Sequence, residues 1–126
     1  MKPKIEVLQE AAPTASARIL ADANHIEYEV DRRGRRVGVK KLTFHDHYKM
    51  SKLLGQFSAN GTAMNDALMA ASVVEIDGEP IPRAGTELQL EAIMMRLDWD
   101  GVAAATAALM RLAPPDDADQ DATIKN

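Results

Sequence analysis

The sequence predicts an α+β fold: a single, mostly α-helical domain with two short β-hairpins and a disordered acidic C-terminal tail. Three observations carry this prediction. Asp77-Gly78 sits between the apolar, β-branched run Val73-Val74-Glu75-Ile76 and the return segment Glu79-Pro80-Ile81-Pro82. A two-residue type I′ hairpin turn needs positive φ at both central positions, which Asp and Gly tolerate. Ile26, Tyr28 and Val30 alternate with Glu27, Glu29 and Asp31, the period of a strand with one buried face. Between and after these segments, apolar residues recur three or four apart, the period of an amphipathic helix.

Composition bounds the rest. A chain of 126 residues is ordinary for one domain and buries roughly two-thirds of its unfolded surface, enough for a core without staples. There is no cysteine, which removes disulfides, thiolate metal sites and cysteine nucleophiles and fits a reducing cytosol. A net charge of −4 gives no whole-chain argument for nucleic acid or membrane partners. Aromatics make up only 4%, so Leu, Ile, Val, Met and Ala must fill the core. No apolar run approaches the ~20 residues of a membrane span, and the amino terminus has no signal-peptide pattern. A soluble protein of the cytoplasm is expected.

Along the chain, residues 1–25 read as an N-terminal extension, either mobile or a short docked helix. The domain covers 26–112, and 113–126, with Asp116, Asp117, Asp119 and Asp121, reads as the disordered tail. Ile26, Tyr28 and Val30 should form the buried face of a first strand. Arg32-Arg33-Gly34-Arg35 turns the chain, and Val37 and Val39 return it. Thr43 should cap a helix with Asp46 near its positive end. Met50, Leu53, Leu54 and Phe57 form that helix's stripe, with Ser58-Ala59-Asn60-Gly61 as its end. Thr62 opens a second helix with Met64, Ala67, Leu68 and Ala71 on one side. After the Asp77-Gly78 hairpin, Thr86 and Gln89 have capping-box spacing, and Leu90, Ile93, Met94 and Leu97 form the buried stripe. Asp98-Trp99-Asp100-Gly101 is a joint. A last helix to Leu112 should present Trp99, Val102, Thr106, Leu109 and Met110. The order of two hairpins, each followed by two helices, has the form of a pseudo-repeat.

Few residues could carry catalysis. His45 and His47 are two apart, whereas metal ligands on one helix recur at three or four; first-turn polar residues are the simpler reading. Asp98 and Asp100 read as helix cap and first-turn charge. No phosphate-binding glycine loop is present, and no cofactor is implied. The run Arg32, Arg33, Arg35, Arg36, Lys40 and Lys41 could lie on a phosphate backbone. A solvated turn whose charges discourage edge-to-edge strand pairing, or meet another protein, is the simpler reading. One helix departs from simple amphipathicity. Leu88, Ala92 and Met95 line up opposite its buried stripe, so the helix is either sandwiched in the core or carries a partner surface. Met69 also lies off its helix's core stripe, and flexible thioethers suit adaptable surfaces.

Three stretches, VDRRGRRVGVKKLTFHDHYKMSKLLG (30–55), MAASVVEIDGEPIPRAGTELQLEAIMMRL (69–97) and DGVAAATAALMRL (100–112), together resemble the small tail assembly chaperones of long-tailed bacteriophages and prophages. The shared features are a strand pair before a Lys-Leu-Thr helix start, an Ala-Ser-Val-Val run, an Ile-Asp-Gly-x-Pro turn, and an alanine-rich last helix. The resemblance spans residues 26–112. It implies a non-enzymatic holdase that binds the long apolar helices of a tape measure protein and helps tail tube subunits polymerise around it. In many relatives a ribosomal frameshift adds a domain that recruits the tube protein. On this reading Met69, Leu88, Ala92 and Met95 contact the client, with a homo-oligomer also admitted. A small nucleic-acid-binding regulator using the basic hairpin is the alternative.

Overall fold

The computed structural model describes residues 14–112; the predicted disorder of 113–126 falls outside the described residues, as do residues 1–13 of the predicted extension. The elements are α1 (Ala15–Asn24), β1 (Ile26–Val30), β2 (Arg36–Lys40), α2 (Phe44–Leu54), a 3₁₀ segment (Gly55–Ala59), α3 (Gly61–Ser72), β3 (Val73–Ile76), β4 (Glu79–Pro80) and α4 (Glu87–Leu112). The two hairpins join into one antiparallel sheet in the order β1-β2-β3-β4, because β3 pairs with β2 across the intervening helices. One face of that sheet is covered: α4 packs on β1 and β2, α3 on α4, and α2 on α3. The fold is α+β, as predicted. None of the helices is long and apolar enough to cross a membrane among the described residues.

The second hairpin forms for the reason its residues foretell. Asp77 and Gly78 both take positive φ, 53° and 85°, as a type I′ turn requires. Pro80 and the short β4 leave little edge to extend, since proline cannot donate to a ladder. Val73 and Ile76 bury on the inner face beside Val37 and Val39 of β2.

The first strand has the opposite parity from the one its alternation predicts. Val30 is 61% exposed, and Tyr28 also faces solvent. Glu27 and Glu29 pair across the ladder with the buried Val39 and Val37, so the glutamates share the helix-covered face. Arg111, near the end of α4, makes this possible. Its guanidinium donates to Glu27 Oε2 at 3.1 Å, to Glu29 Oε1 at 2.9 Å and to the Tyr28 carbonyl. His25 and then Arg111 hold the Glu27 carboxyl below its usual range by hydrogen bonding. On the solvent side the Tyr28 ring lies across Gly38, where a Cβ would stand 2.8 Å from Tyr28 Cε1. The Arg36 guanidinium stacks 4.4 Å from the ring centroid.

Thr43 and Asp46 form a full capping box at the start of α2: Asp46 N–H donates to Thr43 Oγ1 at 3.1 Å and Thr43 N–H to Asp46 Oδ2 at 2.9 Å. Met50 and Leu54 bury as expected, but Phe57 does not. Gly55, at φ 57°, ends α2 four residues before the predicted stop, and the 3₁₀ turn that follows points Phe57 to solvent. Asn60, rather than Thr62, caps α3 through Ala63 N–H at 3.1 Å, and Met64, Ala67 and Ala70 form its buried side. Within the predicted N-terminal extension, α1 is capped by Thr14 and has no buried residue.

The predicted final helix pair forms as two arms of α4 that meet at a kink at Asp98. Asp98 takes φ 53° and ψ −171° inside α4, a region that side-chain-bearing residues occupy only at a cost of roughly 1–3 kcal/mol. The arm before the break buries Leu90, Ile93 and Leu97, as the spacing predicts. The arm after it does not follow prediction. Trp99, Thr106 and Met110 are exposed, while Gly101, Ala104, Ala105 and Ala108 are buried against the sheet. Small side chains let the helix lie close on Val37 and Val39. A Cβ at Gly101 would meet Leu97 Cδ2 at 2.9 Å.

Candidate functional site

What holds the break in α4 is the basic hairpin. Arg35 reaches from the turn after β1 and donates to two carbonyls at the end of the first arm, Arg96 O at 2.6 Å and Leu97 O at 2.9 Å. These are terminal helix carbonyls with no intrahelical partner, so a cation is favoured there. The Arg35 Nε donates to Asp31 Oδ2 at 2.8 Å, and the backbone N–H groups of Arg33 and Arg35 donate to Asp31 Oδ1. Burial pushes the Asp31 carboxyl up, but these donors outweigh it and hold it below the ordinary aspartate range. Arg33 reaches Asp98 at 3.3 Å and Asp100 at 3.2 Å.

Half of the candidate nucleic-acid surface is therefore engaged within the chain. Arg33, Arg35 and Arg36 form ion pairs within the chain, Arg36 with Glu75 at 2.7 Å. Arg32, Lys40 and Lys41 make no ion pair among the described residues. Three scattered cations are a weak phosphate-binding stripe compared with six. Among the described residues no group of three or more His, Asp or Glu side chains could hold a metal ion, and His45 and His47 are both exposed on α2.

The apolar candidates are arranged differently. Leu88 is 76% exposed, Met95 is 82% exposed, and Ala92 between them is also exposed. They form a line on the side of α4 away from Leu90, Ile93 and Leu97. Its length from Leu88 to Met95 is about 10 Å at the helical rise. Trp99, four residues past Met95 and just beyond the break, is 82% exposed. Its indole also lines a groove of about 210 Å³ with Asp66, Met69, Met94 and Val102. Met69 thus belongs to the groove beside the line and not to the line itself. It is half-buried, and the Thr106 hydroxyl approaches its sulfur at 3.9 Å.

Trp99 is the site residue that periodicity missed. Its spacing from Val102 and Thr106 reads as a core face, whereas at helical spacing it falls in line with Leu88, Ala92 and Met95, on the side away from the buried Gly101, Ala104 and Ala108. The available signal was the preceding stripe, because Leu90, Ile93 and Leu97 carried on at helical spacing reach Gly101, Ala104 and Ala108 and leave Trp99 outside.

Neither family models, nor curated proteins, nor solved structures compared with this chain give a match.

Proposed function

We propose that this chain is a tail assembly chaperone of a long-tailed phage or prophage, a holdase working in the bacterial host cytoplasm. It shelters the apolar helices of a tape measure protein until tail tube subunits polymerise around them. The reading starts from the resemblance over residues 26–112. One observation supports it most: large apolar side chains, Leu88, Met95 and Trp99, stand in water along one helix. A folded domain gains nothing from exposing such a line unless another chain covers it. An amphipathic helix laid along α4 could match it at successive turns. The Met69–Trp99 groove beside the line would take one further side chain, and its thioether and indole adapt to different occupants. No covalent chemistry is needed for this role.

The test uses the neighbouring genes and a double variant. A very long, helix-rich reading frame just downstream identifies the client. Co-expressed with the wild-type chain, that client stays in the soluble fraction and co-purifies with it. Leu88→Glu combined with Met95→Glu abolishes co-purification, while thermal stability stays within about 0.5 kcal/mol, as for exposed positions generally. Undiminished co-purification with the double variant, or no such neighbouring frame, defeats the proposal.

A further inference from the structure

A second surface lies elsewhere on the molecule, in a cleft of about 580 Å³ between α2 and the segment Arg83-Ala84-Gly85 that leads into α4. Its volume falls within the range of ligand-binding clefts. Its floor is aliphatic, made by Leu42, Met50, Leu53, Ala71 and Ala84. Its rim carries Lys49 and Lys52, three apart on α2, which form no ion pair among the described residues. Among the described residues the only carboxylate lining it is Asp46, already engaged by Arg83 and by the Thr43 N–H. That contact ties the far wall of the cleft to the start of α2. Two exposed aromatics, Phe44 at 90% and Tyr48, stand on α2 beside the lysines. The Lys52 ammonium sits 5.5 Å from the Tyr48 ring centroid.

Among the described residues the uncompensated charge of this cleft is positive, in a chain whose net charge is −4. We infer that the cleft docks an acidic amphipathic helix of a partner protein, whose leucine or phenylalanine enters the aliphatic floor while carboxylates one turn apart meet Lys49 and Lys52. The match is geometric as well as electrostatic. Lysines at i and i+3 lie about 4.5 Å apart along the axis, which suits acidic residues spaced i, i+3 or i, i+4 on the facing helix. The aliphatic floor favours an apolar side chain over a nucleobase, which would leave its hydrogen-bonding edge unmatched there. This surface stands independently of the α4 line, and its test does not involve the tape measure protein.

The immobilised full-length chain is offered two pools of short helix-forming peptides with equal leucine and phenylalanine content. One pool carries glutamate at i, i+3 and i+4 beside the apolar residue, and the other carries lysine there. The acidic pool is retained roughly tenfold better, and that preference disappears in the Lys49→Glu, Lys52→Glu variant, since each exposed pair contributes a few-fold. Both lysines are exposed, so an unchanged melting curve verifies the fold of the variant. Equal retention of the two pools overturns the inference, as does an acidic preference that survives in the variant. Tighter binding of single-stranded oligothymidine, lost in the same variant and falling steeply with salt, overturns it in favour of nucleic acid.

Discussion

On the near side of Asp98, α4 buries Leu90, Ile93 and Leu97; on the far side it buries Gly101, Ala104, Ala105 and Ala108. Along the first arm large aliphatic side chains fill the core, and each contributes on the order of 1.5–3 kcal/mol by burial. The second arm lies on a sheet already carrying Val37 and Val39, so close approach matters more than side-chain volume. The same helix therefore exposes Leu88 and Met95 on one arm, Trp99 just past the break, and Met110 on the other, for two different reasons. On the first arm the large residues are surplus to a complete stripe. On the second they are excluded from the interface because they are large.

This contrast can be broken most strongly at the joint between the arms. Arg35→Ala removes the partner of the buried Asp31 and frees two terminal carbonyls of the first arm. The expected loss is about 3 kcal/mol, the scale for orphaning a buried charge, read as a shift in the midpoint of urea unfolding. If Arg35→Ala matches the wild-type midpoint, the break is held by helix packing alone. A smaller effect separates the two burial rules. Ala105→Leu overpacks the sheet-facing side and should cost about 2 kcal/mol, although leucine is the better core residue by composition. A stabilised Ala105→Leu variant would mean that the second arm has room to spare.

The smallest effect concerns pH. The Asp31 carboxyl titrates below its unfolded value of 3.8 in the folded chain, so the folded state binds its proton less readily. Its contribution to stability is complete above that value and is lost as pH falls through the lower, folded-state pKa. The Asp31→Asn variant is therefore less stable than wild type at neutral pH. The gap between the two melting temperatures narrows only below about pH 4. A gap of constant width down to full acid unfolding would show that Asp31 acts as a hydrogen-bonding group whatever its charge.

What was legible in the sequence was what neighbouring residues decide. Asp77-Gly78, the Thr43–Asp46 cap and the stripe from Leu90 to Leu97 need nothing from distant residues, and each forms as expected. The exposed line Leu88-Ala92-Met95 was also visible, because a helix has room for only one core-facing stripe. The parity of the first strand was missed because it depends on a distant partner. Glu27 and Glu29 turn inward because Arg111 waits there, 84 and 82 residues along the chain. No local alternation rule contains that information. Likewise nothing local to the basic hairpin says that Arg33 and Arg35 donate to two carbonyls and two aspartates at the break in α4, more than 60 residues away. Trp99 was assigned to the wrong side because the last helix was read afresh from the joint by its large residues, whereas the stripe of Leu90, Ile93 and Leu97 continues at helical spacing through Gly101, Ala104 and Ala108.

The dependence of that break on the first hairpin limits how the molecule can be dissected. A helical fragment cut to hold only α2, α3 and α4 would keep every greasy side chain discussed above but lose the guanidinium that fixes the angle between the two arms. Asp98 would then be free to relax into ordinary helix, and the angle at which Trp99 follows Met95 along the exposed line would change with it. Minimisation to a two- or three-helix binder should therefore start from the hairpin outward.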